Sequence, residues 1–276
     1  MIYKKEALWS ILEINTNKEI DIEKIKEIYK IVDCFENKYS RFIKNNYLDK
    51  LNSAWTFYID KEFKTLYNLC ETLFKATQWY FDITIWPILE KLWYWFKNNK
   101  SDRKIWFENI KILWDEINLN WTNIEFWSVW KWYLIDKIYD LLKEKHDDLI
   151  INFGWDIKIW KYEKTIWLED PYDIKKIIWS INIKEMAFCS SSWQKRKFWN
   201  SHHLINPKNK LPQNDKIAIY LTHKSACIAD WFSTALFVTP IEKSLIILEK
   251  IEWLEWLIIA KNWEIYKTKG FNVTLF

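Results

Sequence analysis

The spacing of apolar and polar positions divides the chain into short strands and amphipathic helices. Residues 8–14 alternate and predict a first strand. Residues 22–35 place Ile22, Ile25, Ile28, Tyr29, Val32 and Phe35 on one helical face. Two more helices are predicted over 47–54 and 61–77, the second with Leu66, Leu69, Leu73 and Phe74 facing a core. A polar and aromatic loop over 77–87 leads to a short helix at 88–92, and residues 104–124 alternate in places, as a hairpin or meander does. A helix over 130–145 turns Leu134, Ile135, Ile138, Leu141 and Leu142 inward. Short strands are predicted at 149–153, 157–160 and 164–168, with Pro171 closing the run, and further strands at 177–183, 187–190 and 217–222. The stretch Ala226–Val238 reads as an apolar helix ending near Pro240, followed by a helix over 243–251 and a hairpin over 257–267. Strands and helices interleave without a βαβ rhythm, so the fold class is α+β, with mixed sheets and helices. With no internal repeat and no Pro/Gly/Ser linker, one domain is expected over 1–276.

The charge balance is mildly basic: 41 Lys and Arg stand against 37 Asp and Glu, a net of +4. The two signs are interspersed, which describes a solvated surface and excludes a nucleic-acid stripe. No apolar run has the length of a membrane span. The opening MIYKKEALW carries no apolar core or cleavage site, so a cytoplasmic location is expected. Cys34, Cys70, Cys189 and Cys227 are scattered without a CxxC pair, the pattern of reduced structural thiols, and argue against a zinc site.

One anomaly changes the picture. The chain has 2 glycines and 22 tryptophans, where an average domain of this length carries on the order of twenty glycines. Turns need glycine because it alone takes positive φ without strain. Tryptophans stand where those glycines are wanted, as in Gly154-Trp155-Asp156, Asn262-Trp263-Glu264 and Trp93-Tyr94-Trp95, and they follow no helical or strand period. The hypothesis is that most of these codons are UGA in an organism that reads UGA as glycine. The alternative is a truly Trp-rich chain, such as a carbohydrate-stacking module. UGG codons at Trp79, Trp130 and Trp132 would exclude recoding.

Candidate chemistry centres on Ala226–Val238. Asp230 and Thr234 lie at i and i+4, on one helical face, with Ser233 beside them. Such oxygen donors suit a hard cation, and Mg²⁺ takes one or two protein carboxylates and leaves the rest to phosphates and water. The same residue types also cap helices.

With tryptophan read as glycine, residues 77–92 become TQGYFDITIGPILEKL, 125–136 EFGSVGKGYLID, 152–157 NFGGDI, 165–171 TIGLEDP and 229–238 ADGFSTALFV, while 202–207 is HHLINP as it stands. Together with Ser40-Arg41-Phe42 and LDKLN at 48–52, this order and spacing resembles the ApbE family, the FAD:protein FMN transferases, over nearly the whole chain. The resemblance implies a T-fold-like architecture. It implies an enzyme that binds FAD with Mg²⁺, moves FMN onto a threonine hydroxyl of an acceptor protein through a phosphodiester bond, and releases AMP. Family members are usually exported and often lipid-anchored.

The resemblance also implies residue roles. Asp230 and Thr234 match metal ligands, as does Ser233, where some members have Asp. Ser128 matches a position offering the metal an oxygen, or else caps a helix. Lys131, near a helix N-terminus, matches an FAD contact, the alternative being a surface lysine. Glu125 stands where Asp is common and contacts FAD. Tyr80, Phe81 and Asp82 match a segment that meets the flavin nucleotide, Leu8 matches a further FAD contact, and Ile205 would lie against the nucleotide. His203, with Asp230, matches the catalytic group. It would orient or deprotonate the acceptor hydroxyl, or it is a structural histidine. Asn206 replaces the usual Asp. Asn152 and Asp156 match a further motif, with Asp156 a hydrogen-bond hub or a support for a ligand. Literal Trp130 and Trp132 would crowd the approach to phosphate, and literal Trp231 would sit beside the metal. The alternatives to transfer are FAD hydrolysis to FMN and AMP, and an FAD-binding protein without turnover.

Overall fold

The computed structural model describes residues 1–91, 105–126, 129–170, 173, 175–193, 197–198 and 201–275. In chain order the elements are β1 (Ile2–Ala7), β2 (Ser10–Asn15), α1 (Ile22–Tyr39), α2 (Tyr47–Ser53), β3 (Thr56–Tyr58), α3 (Lys61–Ala76) and α4 (Trp86–Lys91). They continue with β4 (Lys111–Leu113), β5 (Glu116–Asn118), α5 (Trp130–Leu142), β6 (Ile150–Phe153), β7 (Ile157–Ile159), β8 (Glu163–Glu169), β9 (Ile177–Lys184) and β10 (Ala187–Ser192). The last part holds β11 (Lys197–Phe198), β12 (Ser201–His202), β13 (Ile205–Asn206), β14 (Leu211–Pro212), β15 (Lys216–His223), α6 (Ala226–Val238), α7 (Ile241–Leu248), β16 (Glu255–Ala260), β17 (Ile265–Lys267) and β18 (Val273–Leu275). Side chains cap α1, α2, α3 and α6. Asp21 accepts from Glu23 N, Asn46 from Asp49 N, Asp60 from Phe63 N and Ser225 from Ile228 N, each answering an N–H that the helix leaves open.

An antiparallel sheet in the order β1-β2-β6-β7-β10-β15-β16-β17 forms the frame. Its central strands are buried on both faces, and their side chains alternate between two cores. Ile219 and Leu221 of β15 and Ile258 of β16 join the larger core under the helices. Ile217 and Tyr220 of β15 and Leu257 and Ile259 of β16 join a second core. A three-stranded sheet, β18-β9-β8, closes that second core with Ile166, Leu168, Ile181 and Ile183. α6 lies on β10 and β15, and α5 packs on α6 and β6. A third small sheet, β3-β5-β4, carries Ile117 into the larger core. The architecture is α+β, as expected. No helix among the described residues is long and apolar enough to cross a membrane.

The differences from the sequence reading have local causes. The expected first strand at 8–14 is the second arm of a hairpin whose turn is Leu8-Trp9. β1 was missed because it is an edge strand with Lys4, Lys5 and Glu6 on it, and only Ala7 is buried. Ile22, expected on the core face of α1, is 63% exposed at the first position of the helix, while Tyr39 extends the buried stripe by another turn. β3 and β18 are three-residue strands, too short to alternate visibly. β18 returns to pair with β9, so the hairpin expected at 257–267 is not the end of the fold. The helix cap before α6 is Ser225, so Asp230 and Thr234 lie inside the helix and not at its cap.

Half of the non-glycine residues with positive φ among the described residues are tryptophans. Trp9 (60°), Trp79 (73°), Trp114 (57°), Trp121 (68°), Trp155 (73°), Trp253 (62°) and Trp263 (66°) all sit in the left-handed region, where a bulky side chain is an outlier.

Two histidines outside the cavity give the fold a pH dependence. His223 Nδ1 accepts from the N–H of Ser225 at 2.9 Å, just before α6, and buried His146 meets Thr16 Oγ1 through Nδ1 at 3.2 Å. Burial pushes both imidazoles below their ordinary 6.5. The unfolded chain therefore takes up protons below 6.5 that the folded chain resists, and stability falls as pH falls through that window. Melting temperature is expected to drop between about pH 7 and about pH 5.5. His223→Asn, whose amide oxygen keeps an acceptor near Nδ1 without titrating, is expected to flatten that slope in thermal melts.

Candidate active site

A cavity of about 900 Å³ opens where the β1–β2 turn, the loop after α3, the start of α5, the β6–β7 turn, the end of β10 and one face of α6 meet. This volume lies at the upper end of small-molecule sites, roughly 300–1,000 Å³. Local hydrogen bonds hold each contributor in place. Thr77 Oγ1 donates to Leu73 O and accepts from Phe81 N at 3.1 Å, which turns Tyr80 and Phe81 back over the end of α3. Asp82 accepts from Thr84 N and Oγ1 (2.8 and 2.7 Å) and from Phe107 N (3.2 Å). Burial raises its pKa above the usual carboxylate value, and these bonds oppose the rise. The Asn52 amide pairs with both backbone groups of Ile124, and Glu125 N donates to Ile83 O, so Glu125 stands between two anchored segments.

The β6–β7 turn is the tightest part of the wall. Gly154 has φ of +68°, and a Cβ there would come within 2.3 Å of Ser10 Oγ and 3.1 Å of Lys131 Nζ. Glycine is thus required by the backbone conformation, and a Cβ would also press on Ser10 Oγ. Lys131, in the first turn of α5, donates to Asp156 Oδ2 at 3.2 Å. Asn152 Oδ1 accepts from Trp155 N across the same turn.

α6 presents Asp230 and Thr234 to the cavity, which Ser190, Ser191 and Ser192 of β10 also line. Asp230 is 7% exposed. Ser191 Oγ lies 2.9 Å from Ser233 Oγ and 3.4 Å from Thr234 Oγ1. A buried carboxylate and neighbouring hydroxyls form an all-oxygen donor set, which fits a hard divalent cation. The described residues hold no group of three His, Cys, Asp or Glu placed to bind a metal.

The two adjacent histidines divide. His202 is buried, with Nε2 3.1 Å from Asn214 Oδ1 and Nδ1 accepting from Leu204 N. His203 lines the cavity with Leu204, Ile205 and Pro207. Asn206 accepts from Lys208 N and donates to Gln213 Oε1, holding the β13–β14 turn.

Of the residues singled out in the sequence, Tyr80, Phe81, Asp82, Glu125, Lys131, His203, Ile205, Asp230 and Thr234 line this one cavity, as do Asn152 and Asp156. Leu8 is 5% exposed behind the wall, its N–H donating to Glu36 Oε1, while Trp9 and Ser10 reach the cavity. Ser233 is fully buried, donating to Asp230 O at 2.9 Å. Ser128 lies outside the described residues. Three groups have no role assigned from the sequence, although Arg41 stands in the Ser40-Arg41-Phe42 motif. Ser190–Ser192 are a polar run at the end of a buried strand, a signal that was available. Arg41 pairs with Glu125 Oε2 at 3.4 Å, its partner 84 residues away. Lys4 and Glu13, 2.9 Å apart, face each other only across the β1–β2 register.

Among the described lining residues Lys4 pairs with Glu13, Arg41 with Glu125 and Lys131 with Asp156, and beside the lining Lys208 and Lys243 stand 4.0 and 5.4 Å from the centre of the Tyr80 ring. Asp82, Glu169 and Asp230 add further acidic groups to the same lining.

No curated protein sequence matches the chain. Among solved structures, the ApbE protein of Thermotoga maritima is similar at a TM-score of 0.84 with 19% identity, over 98% of this chain and 97% of that one. Flavin transferase ApbE from Vibrio cholerae is similar at 0.82 with 15% identity, over 98% and 97%. The apo form of the flavinyl transferase ApbE of Pseudomonas stutzeri is similar at 0.79 with 18% identity, over 98% and 96%. At these identities the likeness is one of fold. The ApbE family model matches residues 9–258, and by that match over most of its length the chain belongs to the ApbE family.

Proposed function

We propose that this chain is a flavin transferase that uses Mg²⁺ and FAD, moves FMN to a threonine hydroxyl of an acceptor protein, and releases AMP. The observation that carries the reading is the meeting of Lys131, Asp230, Thr234 and His203 in one cavity of an ApbE-family chain. The oxygen donors Asp230 and Thr234 support the need for a cation, because a dianionic pyrophosphate must be neutralised beside them. Asp230 and Thr234 would hold Mg²⁺, which supplies charge neutralisation at the pyrophosphate and the leaving phosphate. Lys131, held by Asp156 against the Gly154 turn, binds phosphate oxygen at the start of a helix. Tyr80 and Phe81 give the flavin nucleotide an aromatic wall. The threonine oxygen forms its bond to the FMN phosphorus, the bond from that phosphorus to the AMP oxygen breaks, and His203 accepts the hydroxyl proton.

The proposal includes the identity of the tryptophans. Seven left-handed backbone positions support glycine at Trp9, Trp79, Trp114, Trp121, Trp155, Trp253 and Trp263. Trp130 and Trp132, on either side of Lys131, are buried. Glycine there would open the approach of phosphate to α5. The indole N–H groups of Trp160 and Trp231 are buried without a hydrogen-bond partner in the described structure, a cost of about 1–3 kcal/mol each that glycine removes.

Three outcomes are expected. Peptide masses of the protein made in its own host, across 77–95 and 126–136, should show glycine at Trp79, Trp86, Trp130 and Trp132; tryptophan masses would refute the recoding. That protein, with FAD and Mg²⁺, should release one AMP per flavin attached to an acceptor threonine and stop on chelation. AMP without acceptor would assign hydrolysis instead, and tight FAD binding with no AMP would assign a carrier. Lys131→Met should weaken FAD binding by about ten- to a hundred-fold in titration, the scale of one charged hydrogen bond.

A further inference from the structure

Asp136 lies on α5 five residues beyond Lys131, about 7.5 Å along the axis, and is not part of the cavity lining. Its carboxylate grips the first turn of α6. Oδ2 accepts from Ser225 Oγ at 3.0 Å and from Cys227 N at 3.1 Å, and Oδ1 accepts from Ala226 N at 3.3 Å. Lys158 of β7 donates to the same Oδ1 and sits over the Tyr139 ring at 3.8 Å. One side chain therefore joins α5, α6 and β7.

The grip falls on the face that matters. Asp230 and Thr234 are four and eight residues after Ala226, so the three share one side of α6. Side-chain atoms lie about 5–6 Å from a helix axis, so a rotation of roughly 5° moves a ligand oxygen by about 0.5 Å. That is the tolerance of a functional constellation, and Mg²⁺ demands near-ideal octahedral geometry.

We propose that Asp136 is a positioning residue for the candidate cation site: it sets the rotation of α6 against α5, and so the placement of Asp230 and Thr234 relative to Lys131. This rests on the reading of Asp230 and Thr234 as the Mg²⁺ ligands. α6 is also held by packing, by Ser191 Oγ against Ser233 Oγ and Thr234 Oγ1, by Cys189 Sγ on Ala226 O at 3.9 Å, and at its far end by Lys216 on Thr239 O; Asp136 adds a carboxylate contact on the first turn.

The test uses the full chain and two readouts: the Mg²⁺ concentration for half-maximal AMP release, and Mn²⁺ affinity in the presence of FAD by titration. Asp136→Ala should raise the first and weaken the second by about ten-fold or more, the usual effect of losing a group that orients a metal ligand. FAD affinity without metal should change by less than about two-fold, because Lys131 and the Gly154 turn are untouched. Asp136→Asn keeps one acceptor and should recover part of the Mn²⁺ affinity. Ser225→Ala removes one bond to the carboxylate together with the cap on Ile228 N, and Ser225→Gly, which weakens a helix cap only slightly, removes the same bond more gently; each should shift both readouts by about two- to three-fold. A fall in melting temperature and turnover with half-saturation by Mg²⁺ unchanged would overturn the proposal and leave Asp136 a plain structural cap. If Asp230→Ala and Thr234→Ala also leave the Mg²⁺ requirement unchanged, the underlying metal reading fails instead.

Discussion

The close packing of α6 on β10 and β15 is the constraint on which the site depends. Ala226, Ala229, Ser233, Ala235 and Phe237 are buried to 0% exposure along this helix, and small residues let its backbone come down onto the sheet. That proximity brings Ser191 of β10 within hydrogen-bond reach of both Ser233 and Thr234, and leaves Asp230 and Thr234 at the cavity wall. A larger side chain at Ala229 would lift the helix, and the oxygen donors of α6 and β10 would separate.

The ion pairs of the lining work by another principle. The Gly154 turn admits Lys131, and Lys131 and Asp156 neutralise each other at 3.2 Å. Arg41 and Glu125 repeat the arrangement on side chains that are 11% and 7% exposed. Buried pairs of this kind are kept in place by their hydrogen bonds and lose much if either partner is removed. They also give the cavity cationic groups already held in position for an anion.

The tryptophans join backbone geometry to chemistry. A left-handed turn is demanded by the chain path: Trp9 lies in the β1–β2 hairpin turn, Trp155 in the β6–β7 turn, and Trp263 in the β16–β17 turn. The two turns that border the cavity, at Trp9 and Trp155, are the ones that must also leave room for a ligand. The single glycine already present in the β6–β7 turn, Gly154, shows what such a turn does when it is free of a side chain: it lets an ammonium group approach the backbone closely.

The sequence by itself determined those parts whose cause is local. α6, α5 and α3 were legible because their apolar residues recur at helical spacing, β15 because apolar residues run together in a strand buried on both faces, and β9 because Ile181 and Ile183 alternate with exposed Asn182 and Lys184. Asp230 and Thr234 were legible as a pair because four residues make one helical turn. Tertiary structure alone decided what depends on distant partners. The edge strand β1 has no buried alternation to announce it, and β18 exists only because β9 offers it an edge. Arg41 meets Glu125 across 84 residues, and Asp136 reaches the N–H groups of α6 across 90 and 91. His202 and His203 are alike as letters, and only the direction of the chain between β12 and β13 turns one to Asn214 and the other to the cavity. Periodicity records which face of an element is buried, whereas the approach of two elements is set by the packing of the whole sheet, and no short stretch of sequence carries that information.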